Sequence, residues 1–315
     1  MSFDQELESF KHLDLREYAA GQGYTLDRHE SWRGSAVMRN AAGDKIVIKL
    51  RPNGHYVYFS VRDDADNGSI IDFIQKRRSL KLGGIRMELR RYAGSPAPVV
   101  QAFPRMEVTE KDRGQVERAY HRMKPAAQHP YLKDVRRIPA ALLSGKRFMG
   151  RVRIDGRGNA VFPHFDAGGL SGYELKNLDF TGFAPGGEKG LWTSRSHDDD
   201  RRLVFAESAI DALSYAATYP DENTRYASIG GKTNPQQPGL IRSEIAKLRN
   251  DSEVVSAMDN DAEGIKLAAL IENAVAESGR QDLVYRAHFP ALPAKDWNDV
   301  LRARYSNNSF PVARP

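Results

Sequence analysis

Carboxylates in the last third of this 315-residue chain stand where apolar runs end. Glu207 closes "RLVFAE", and Asp211 follows one helical turn later in "AIDALS". Asp259 and Asp261 follow "EVVSAM", and Asp296 and Asp299 lie in "AKDWNDVL", just after "LVYRAHF". Alternate residues of an extended run point the same way, so Asp259 and Asp261 can converge on one site. Residues four apart share a helix face, which lets Asp211 back up Glu207. Carboxylates crowded in this way repel unless a cation neutralises them. Oxygen donors without Cys or His select a hard divalent ion, Mg²⁺ or Mn²⁺. Such an ion holds phosphates and stabilises attacking and leaving oxygens in phosphoryl transfer. Each acid taken alone has a plainer role at a helix N-terminus, as a cap or as a charge worth about 0.3–1 kcal/mol. Three successive clusters at strand ends favour the metal site, with Glu207, Asp211, Asp259, Asp261, Asp296 and Asp299 as candidate ligands.

The elements that must position these acids alternate. Strands "RLVFAE", "YASIG", "EVVSAMD" and "LVYRAHF" are separated by helices "AIDALSYAATY", "GLIRSEIAKLRN" and "AEGIKLAALIENAVAES". Apolar strands separated by helices imply a parallel sheet of right-handed βαβ units, an α/β fold. Ligands of such sheets bind beyond the carboxyl ends of the strands, where the acids are.

Composition narrows the chemistry. With no cysteine, disulfides, thiol catalysis and thiolate zinc sites are excluded. No apolar run approaches the roughly 18 residues of a membrane span, and the N-terminus lacks the pattern of a signal peptide, so a soluble, intracellular protein with no membrane partner is expected. The net charge is +6. Basic residues gather at 76–92, at 133–153 and in the tail "RARYSNNSFPVARP". Singly, such runs are solvated helix faces; beside an acidic metal site they suit a polyanionic partner.

Upstream of the alternating region the chain reads as two further parts. A small antiparallel β domain at 1–95 holds strands "SAVMRN", "DKIVIKL" and "HYVYFSV", with turns at 41–44 and 51–54, then a helix capped by Ser69. A mixed α+β region at 108–196 has a helix in "TEKDRGQVERAYHRM" and strands in "RVRID", "AVFPHFD" and "GGLSGYELKNL". The parallel region occupies 200–305. "GGKT" at 230–233 lacks the upstream glycine of a P-loop, although Lys232, at a strand's carboxyl end, could still touch a phosphate. "SHDDD" at 196–200 reads as a solvated hinge, and His164 as structural.

"LVFAESAIDALS", "AMDNDAEG" and "KDWND" resemble the Toprim domain of bacterial-type primases, topoisomerases and some nucleases. The resemblance implies that Glu207, Asp259 and Asp261 carry the catalysis and hold metal, with Asp211 and Asp296 as further acids of the primase version. Asn298 stands where primases usually carry an acid, and Ser208 replaces a usual Gly. The segment from "HPYLKDVRRIP" to "GGEKGLW" resembles the basic half of a primase catalytic core. That likeness assigns Lys146, Arg147, Arg151, Lys176 and Lys189 to template or nucleotide phosphates. The N-terminal part resembles the zinc ribbon that precedes this core, but Asn40, Tyr58, Phe59 and Arg62 stand where metal ligands would be, which implies a zinc-free ribbon with an aromatic core. Tyr56, Tyr58 and Phe59 could also stack bases there, though such residues are more often core.

The architecture looks like the primase-like Toprim proteins of plasmids and integrative elements. It implies primer synthesis in DNA replication on single-stranded DNA from nucleoside triphosphates, in the bacterial cytoplasm, with room for a partner helicase or relaxase. Two alternatives stay open: a metal-dependent nuclease using the same acids, and a non-catalytic nucleic-acid-binding descendant of a primase.

Overall fold

The turns at 41–44 and 51–54 set the N-terminal fold in a computed structural model that describes residues 3–61, 63, 66–94, 103–108, 110–178 and 180–307. Arg62 and most of the basic tail lie outside the described residues. Contacts divide the chain into two units, Met1–Glu110 and Lys111–Pro315.

In the first unit, α1 (Phe3–Phe10) and α2 (Leu15–Gly21) lead into the sheet, and Asp14 caps α2 by accepting from the Arg16 amide. The sheet is an antiparallel meander of β1 (Thr25–Trp32), β2 (Ser35–Arg39), β3 (Lys45–Leu50), β4 (Tyr56–Ser60) and β5 (Asn67–Gly68). β1 is additional to the strands expected from sequence. Its exposure does not alternate and its pairing with β2 shifts register, so it carries little period-two signal. Helices α3 (Ile70–Arg78) and α4 (Leu82–Gly94) close the unit, α3 starting from a Ser69–Asp72 capping box. Ile46, Ile48, Tyr58 and Phe73 are buried in its core, whereas Phe59 is 38% exposed.

Across the turns of this unit runs a polar tie. The Arg77 guanidinium donates to Asp66 at 2.7 Å and to Asp44 at 2.9 Å, and also to the Tyr24 hydroxyl at 2.8 Å. Its charge lies over the Phe73 ring, 4.3 Å from the centroid. A guanidinium from α3 thus joins the β2–β3 and β4–β5 connections.

The second unit begins with α5 (Arg113–His121), β6 (Lys124–Pro125), a π-helical turn (Tyr131–Val135) and α6 (Ala140–Ser144). A second antiparallel sheet holds β6, β7 (Arg153–Ile154), β8 (Ala160–Asp166), β9 (Gly169–Lys176) and β10 (Thr181–Phe183), in the order β10-β9-β8-β7-β6. Next come β11 (Trp192–Thr193), β12 (Arg202–Ala206), α7 (Ala209–Thr218), β13 (Thr224–Ser228), α8 (Gln237–Ala246), β14 (Glu253–Ala257), α9 (Ala262–Glu277), β15 (Val284–Ala287) and α10 (Trp297–Asn307).

The third sheet has the order β11-β13-β12-β14-β15, parallel except for β11. One core cluster gathers Val204, Val255, Leu213 and Leu301, with Phe148 and Trp192 of the preceding region. The other gathers Phe205, Val254, Ile241, Ile245, Leu267 and Ile271. The regions expected at 108–196 and 200–305 therefore share one unit, because β11 pairs with β13 and Phe148 and Trp192 enter the core of the parallel sheet. Among the described residues no helix is long and apolar enough to cross a membrane.

Candidate metal and phosphate centre

Strands β12 and β14 are neighbours in parallel register, Ala206 beside Ala257, so the residues that follow them emerge at one end of the sheet. Glu207 comes directly after β12. Its carbonyl accepts from the Gly230 and Gly231 amides at 2.8 and 3.0 Å, which ties the loop after β13 to the same end. Asp259 comes two residues after β14. Gly264 lets α9 start against it: a Cβ at that position would lie 2.0 Å from the Asp259 carbonyl oxygen. Asp261 caps α9, accepting from the Glu263 and Gly264 amides at 3.0 and 2.9 Å. The helix-cap role and the place in the acidic cluster are therefore both real for Asp261.

Burial and mutual repulsion set the electrostatics. Asp259 is pushed up to about 8, first by burial and then by the charges of Asp211, Glu207, Asp296 and Asp261. Glu207 is raised by burial, with Asp211 and Asp261 adding to it and Lys295 opposing. Asp211, 7% exposed, is raised to about 6 by burial and Asp296, although it accepts from the Ser208 hydroxyl and the Asn298 amide. Asp261 goes the other way, lowered by the Gly264 amide despite some burial, and by Lys295, whose ammonium lies 3.2 Å away. Asp296 takes part through its charge while its Oδ1 accepts from the Asp299 amide at 2.7 Å. Asp299 stays in the first turn of α10, with its Oδ2 accepting from the Lys295 amide at 3.3 Å and its Oδ1 3.9 Å from the Arg302 guanidinium.

Two oxygens decide what this arrangement suits. Glu207 Oε2 and Asp259 Oδ1 are buried and have no hydrogen-bond partner. Buried carboxylate oxygens left unmatched cost free energy, and a cation would satisfy them. Among the described residues no group of three or more acids or histidines forms a ready-made metal cage. An ion held here would take up the unmatched Glu207 and Asp259 oxygens and complete its shell with water and neighbouring donors, a habit of Mg²⁺.

Basic groups border the acids. Lys176 acts on Asp211 through its charge and lies 4.0 Å from Glu174. Lys189 is lowered by burial, feels Glu174 and Glu207, and donates to the Lys232 carbonyl. Gly230, at φ +75°, fits between His164, Glu174 and Lys189, where a Cβ would lie 2.8 Å from the imidazole. His164 is fully buried; its Nδ1 meets the Gly190 carbonyl at 2.9 Å and its Nε2 has no hydrogen-bond partner among the described residues. Lys232 is exposed on the same loop.

Other expected phosphate ligands sit elsewhere. Lys146 is exposed after α6. Arg147 grips Asp200 with both terminal nitrogens, at 2.5 and 3.0 Å, and donates to the Arg195 and Glu222 carbonyls. Asp200 is thus 5% exposed, which corrects the reading of "SHDDD" as wholly solvated: a guanidinium 53 residues upstream buries it. Arg151 lies against Phe165.

Sequence reasoning missed Lys295, although it stands inside the quoted "AKDWNDVL". It also left Asn298 unexplained. That side chain is 1% exposed, donates to the Arg136 carbonyl at 2.7 Å and Ser214 at 3.0 Å, and accepts from Arg136 at 3.3 Å. An amide fits because every polar atom is used; a carboxylate would lose those donations and add charge beside Asp211.

Residues 204–301 match the family described as Toprim-like, and residues 130–200 match a family described as a protein of unknown function, DUF3991. No curated protein is significantly similar in sequence. Among solved structures, the chain is similar to a DNA primase domain from Pseudomonas aeruginosa, at 18% identity and TM-score 0.35, over 52% of this chain and 54% of that one. It is also similar to the primase fragment of the bacteriophage T7 primase-helicase protein, at 15% identity and TM-score 0.39, over 69% of this chain and 82% of that one.

Proposed function

We propose, from the premise that residues 204–301 are a Toprim-like domain, that the protein is a primase-like nucleotidyltransferase that makes short primers on single-stranded DNA. The observation that carries this reading is the pair of buried, partnerless oxygens on Glu207 and Asp259 with Lys176 and Lys189 alongside. Acids alone suit a cation; acids bordered by half-buried lysines suit a cation together with a polyphosphate.

In this reading Glu207, Asp259 and Asp261 hold Mg²⁺ or Mn²⁺, with Asp211 and Asp296 behind them. The ion supplies positive charge to phosphoryl oxygens and makes a nearby hydroxyl easier to ionise. The chain's own residues do the rest. Lys189 and Lys176 meet the charge that develops on pyrophosphate as the 3′-oxygen of one nucleotide bonds to the α-phosphorus of the next. Lys295 holds Asp261 ionised, and Asp261 keeps α9 in place. Asn298 fixes the Asp211 carboxylate from α10. The setting that goes with this chemistry is DNA replication on a plasmid or integrative element in the bacterial cytoplasm, with a helicase or relaxase as partner.

The test is incorporation of labelled nucleotides on single-stranded DNA with Mg²⁺ or Mn²⁺, comparing wild type with Glu207→Gln and Asp259→Asn. Short products from wild type alone are expected. A shortened template instead, again from wild type alone, would make the protein a nuclease. Binding of DNA without either product would leave a non-catalytic binder.

A further inference from the structure

Away from the acidic centre, a cavity of ≈ 400 Å³ opens beside β13 and α8, against the β8–β9 hairpin. Its volume is that of a small-ligand site. Arg151, Arg225 and Lys247 line it, with Thr193, Ser196 and Ser243, and with Ser194, whose hydroxyl is already taken up by the Tyr226 amide and the Arg195 carbonyl. Arg225 is 5% exposed. Its terminal nitrogens face Glu244, donating to the carbonyl at 2.7 Å and lying 3.6 Å from the carboxylate, but its Nε is buried without a partner.

Arg151 is a second incompletely used cation. Its guanidinium lies over the Phe165 ring, 4.8 Å from the centroid, and no carboxylate pairs with it among the described residues. Burial lowers its pKa and the charge of Arg195 works in the same direction, with Tyr120 and the more distant Glu244 carboxylate opposing. The two acids on the wall are engaged already: Asp166 pairs with Arg113 at 2.9 Å, and Glu244 serves both Arg225 and Lys247. One cavity is thus lined by a half-buried guanidinium with no carboxylate in salt-bridge contact among the described residues and by a buried guanidinium whose Nε has no acceptor, and an anion there would offset the cost of that under-matched positive charge.

We propose that this cavity is a phosphate-binding site separate from the acidic centre. Two guanidinium-bearing residues and several hydroxyl-bearing ones line one cavity, a donor-rich wall that suits the multiple acceptor oxygens of a phosphate. None of the acids of the metal centre lines it. Arg225 is level with Leu203 across the sheet, four residues before Glu207 and so about 13 Å from the acidic end along the strand. The phosphate comes from a free nucleotide or from a nucleic-acid strand, and the same donors would take either. The proposal does not depend on the chain being a nucleotidyltransferase.

Isothermal titration of the full chain with a chelator present tests it, using inorganic phosphate, adenosine monophosphate and a ten-residue thymidine oligonucleotide. Arg151→Gln removes a donor. Ser243→Glu adds a negative charge at an exposed position of α8 without touching the core. Each should weaken binding about tenfold or more, whereas Lys266→Gln, exposed on α9, should leave it unchanged. Binding of the free phosphates lost in both variants assigns a small-molecule site; loss confined to the oligonucleotide assigns a strand contact. Absence of binding by wild type, or binding by both variants equal to wild type, overturns the proposal. If Arg151→Gln fails to fold, Ser243→Glu alone decides.

Discussion

Asp259 is held as an acid that the folded chain does not readily ionise. Its folded pKa of about 8 lies above the ordinary carboxylate value. Between pH 4 and 8 the unfolded chain has released this proton and the folded chain has kept it, so this group makes stability fall as pH rises through that window. Asp259→Asn should remove the effect. In chelator at pH 7.5 the variant should be more stable than wild type by on the order of 1–3 kcal/mol, with the advantage shrinking towards pH 4. Thermal melts across pH 4–8 measure it; parallel curves for the two proteins would refute the assignment. Mg²⁺ should raise the Tm of wild type but not that of the variant. At this scale the cluster was legible because its acids stand just beyond the ends of neighbouring parallel strands, β12 and β14; strand period does not place them, since β14 ends at Ala257 and Asp261 caps α9. Arg147 was not: its partner Asp200 is 53 residues away, and a guanidinium bound to a carboxylate looks in sequence like one awaiting a phosphate.

Elements hold these residues through close approaches and ties that a sequence shows only as a glycine or an arginine. Gly264 allows the first turn of α9 to rest on the Asp259 backbone. Gly264→Ala has ordinary helical propensity in its favour, yet its Cβ would need space already held by a carbonyl. The expected result is a stability loss of about 1–3 kcal/mol from overpacking and a fall in nucleotide incorporation of roughly 10²-fold as Asp259 moves. Unchanged incorporation would mean that α9 does not set the position of that acid. In the N-terminal unit the tie is Arg77. Arg77→Met keeps much of the packing over Phe73 but strands Asp44 and Asp66, and should destabilise the unit by roughly 3 kcal/mol. Faster hydrogen exchange in β3 and β4 of the variant would reveal it; protection equal to wild type would reduce Arg77 to a surface charge. Strands β2, β3 and β4 of this unit were legible from the turns between them, whereas β1 and β5 were not. Arg77 was not, because "KRRS" carries no mark separating the guanidinium that crosses to two turns from the neighbours that face water.

On the scale of the whole molecule, the unit boundary follows the cores. The alternating pattern after residue 200 was enough to infer a parallel sheet and the end at which its acids meet, since βαβ handedness and strand direction leave little freedom. It did not reveal that the preceding region lends Phe148 and Trp192 to the same core, because an aromatic in a mixed region carries no sign of which sheet it will cover. This arrangement makes a prediction about independence. The acids, Lys176, Lys189, Lys232 and Lys295 all belong to Lys111–Pro315, and that unit contains three core clusters of its own. Residues 111–315 expressed alone should melt cooperatively, because the buried surface that stabilises the parallel sheet is complete within them. Mg²⁺ should raise the Tm of the fragment and of the full chain alike, since every acid of the candidate centre is retained. A fragment cut instead at residue 200 should fail to fold, as it lacks β11 and the aromatic cover of one sheet face. Cooperative melting by the shorter fragment, with the Mg²⁺ effect intact, would show that the parallel region is a self-sufficient domain and that its packing against the preceding region contributes little to the stability of the acidic centre.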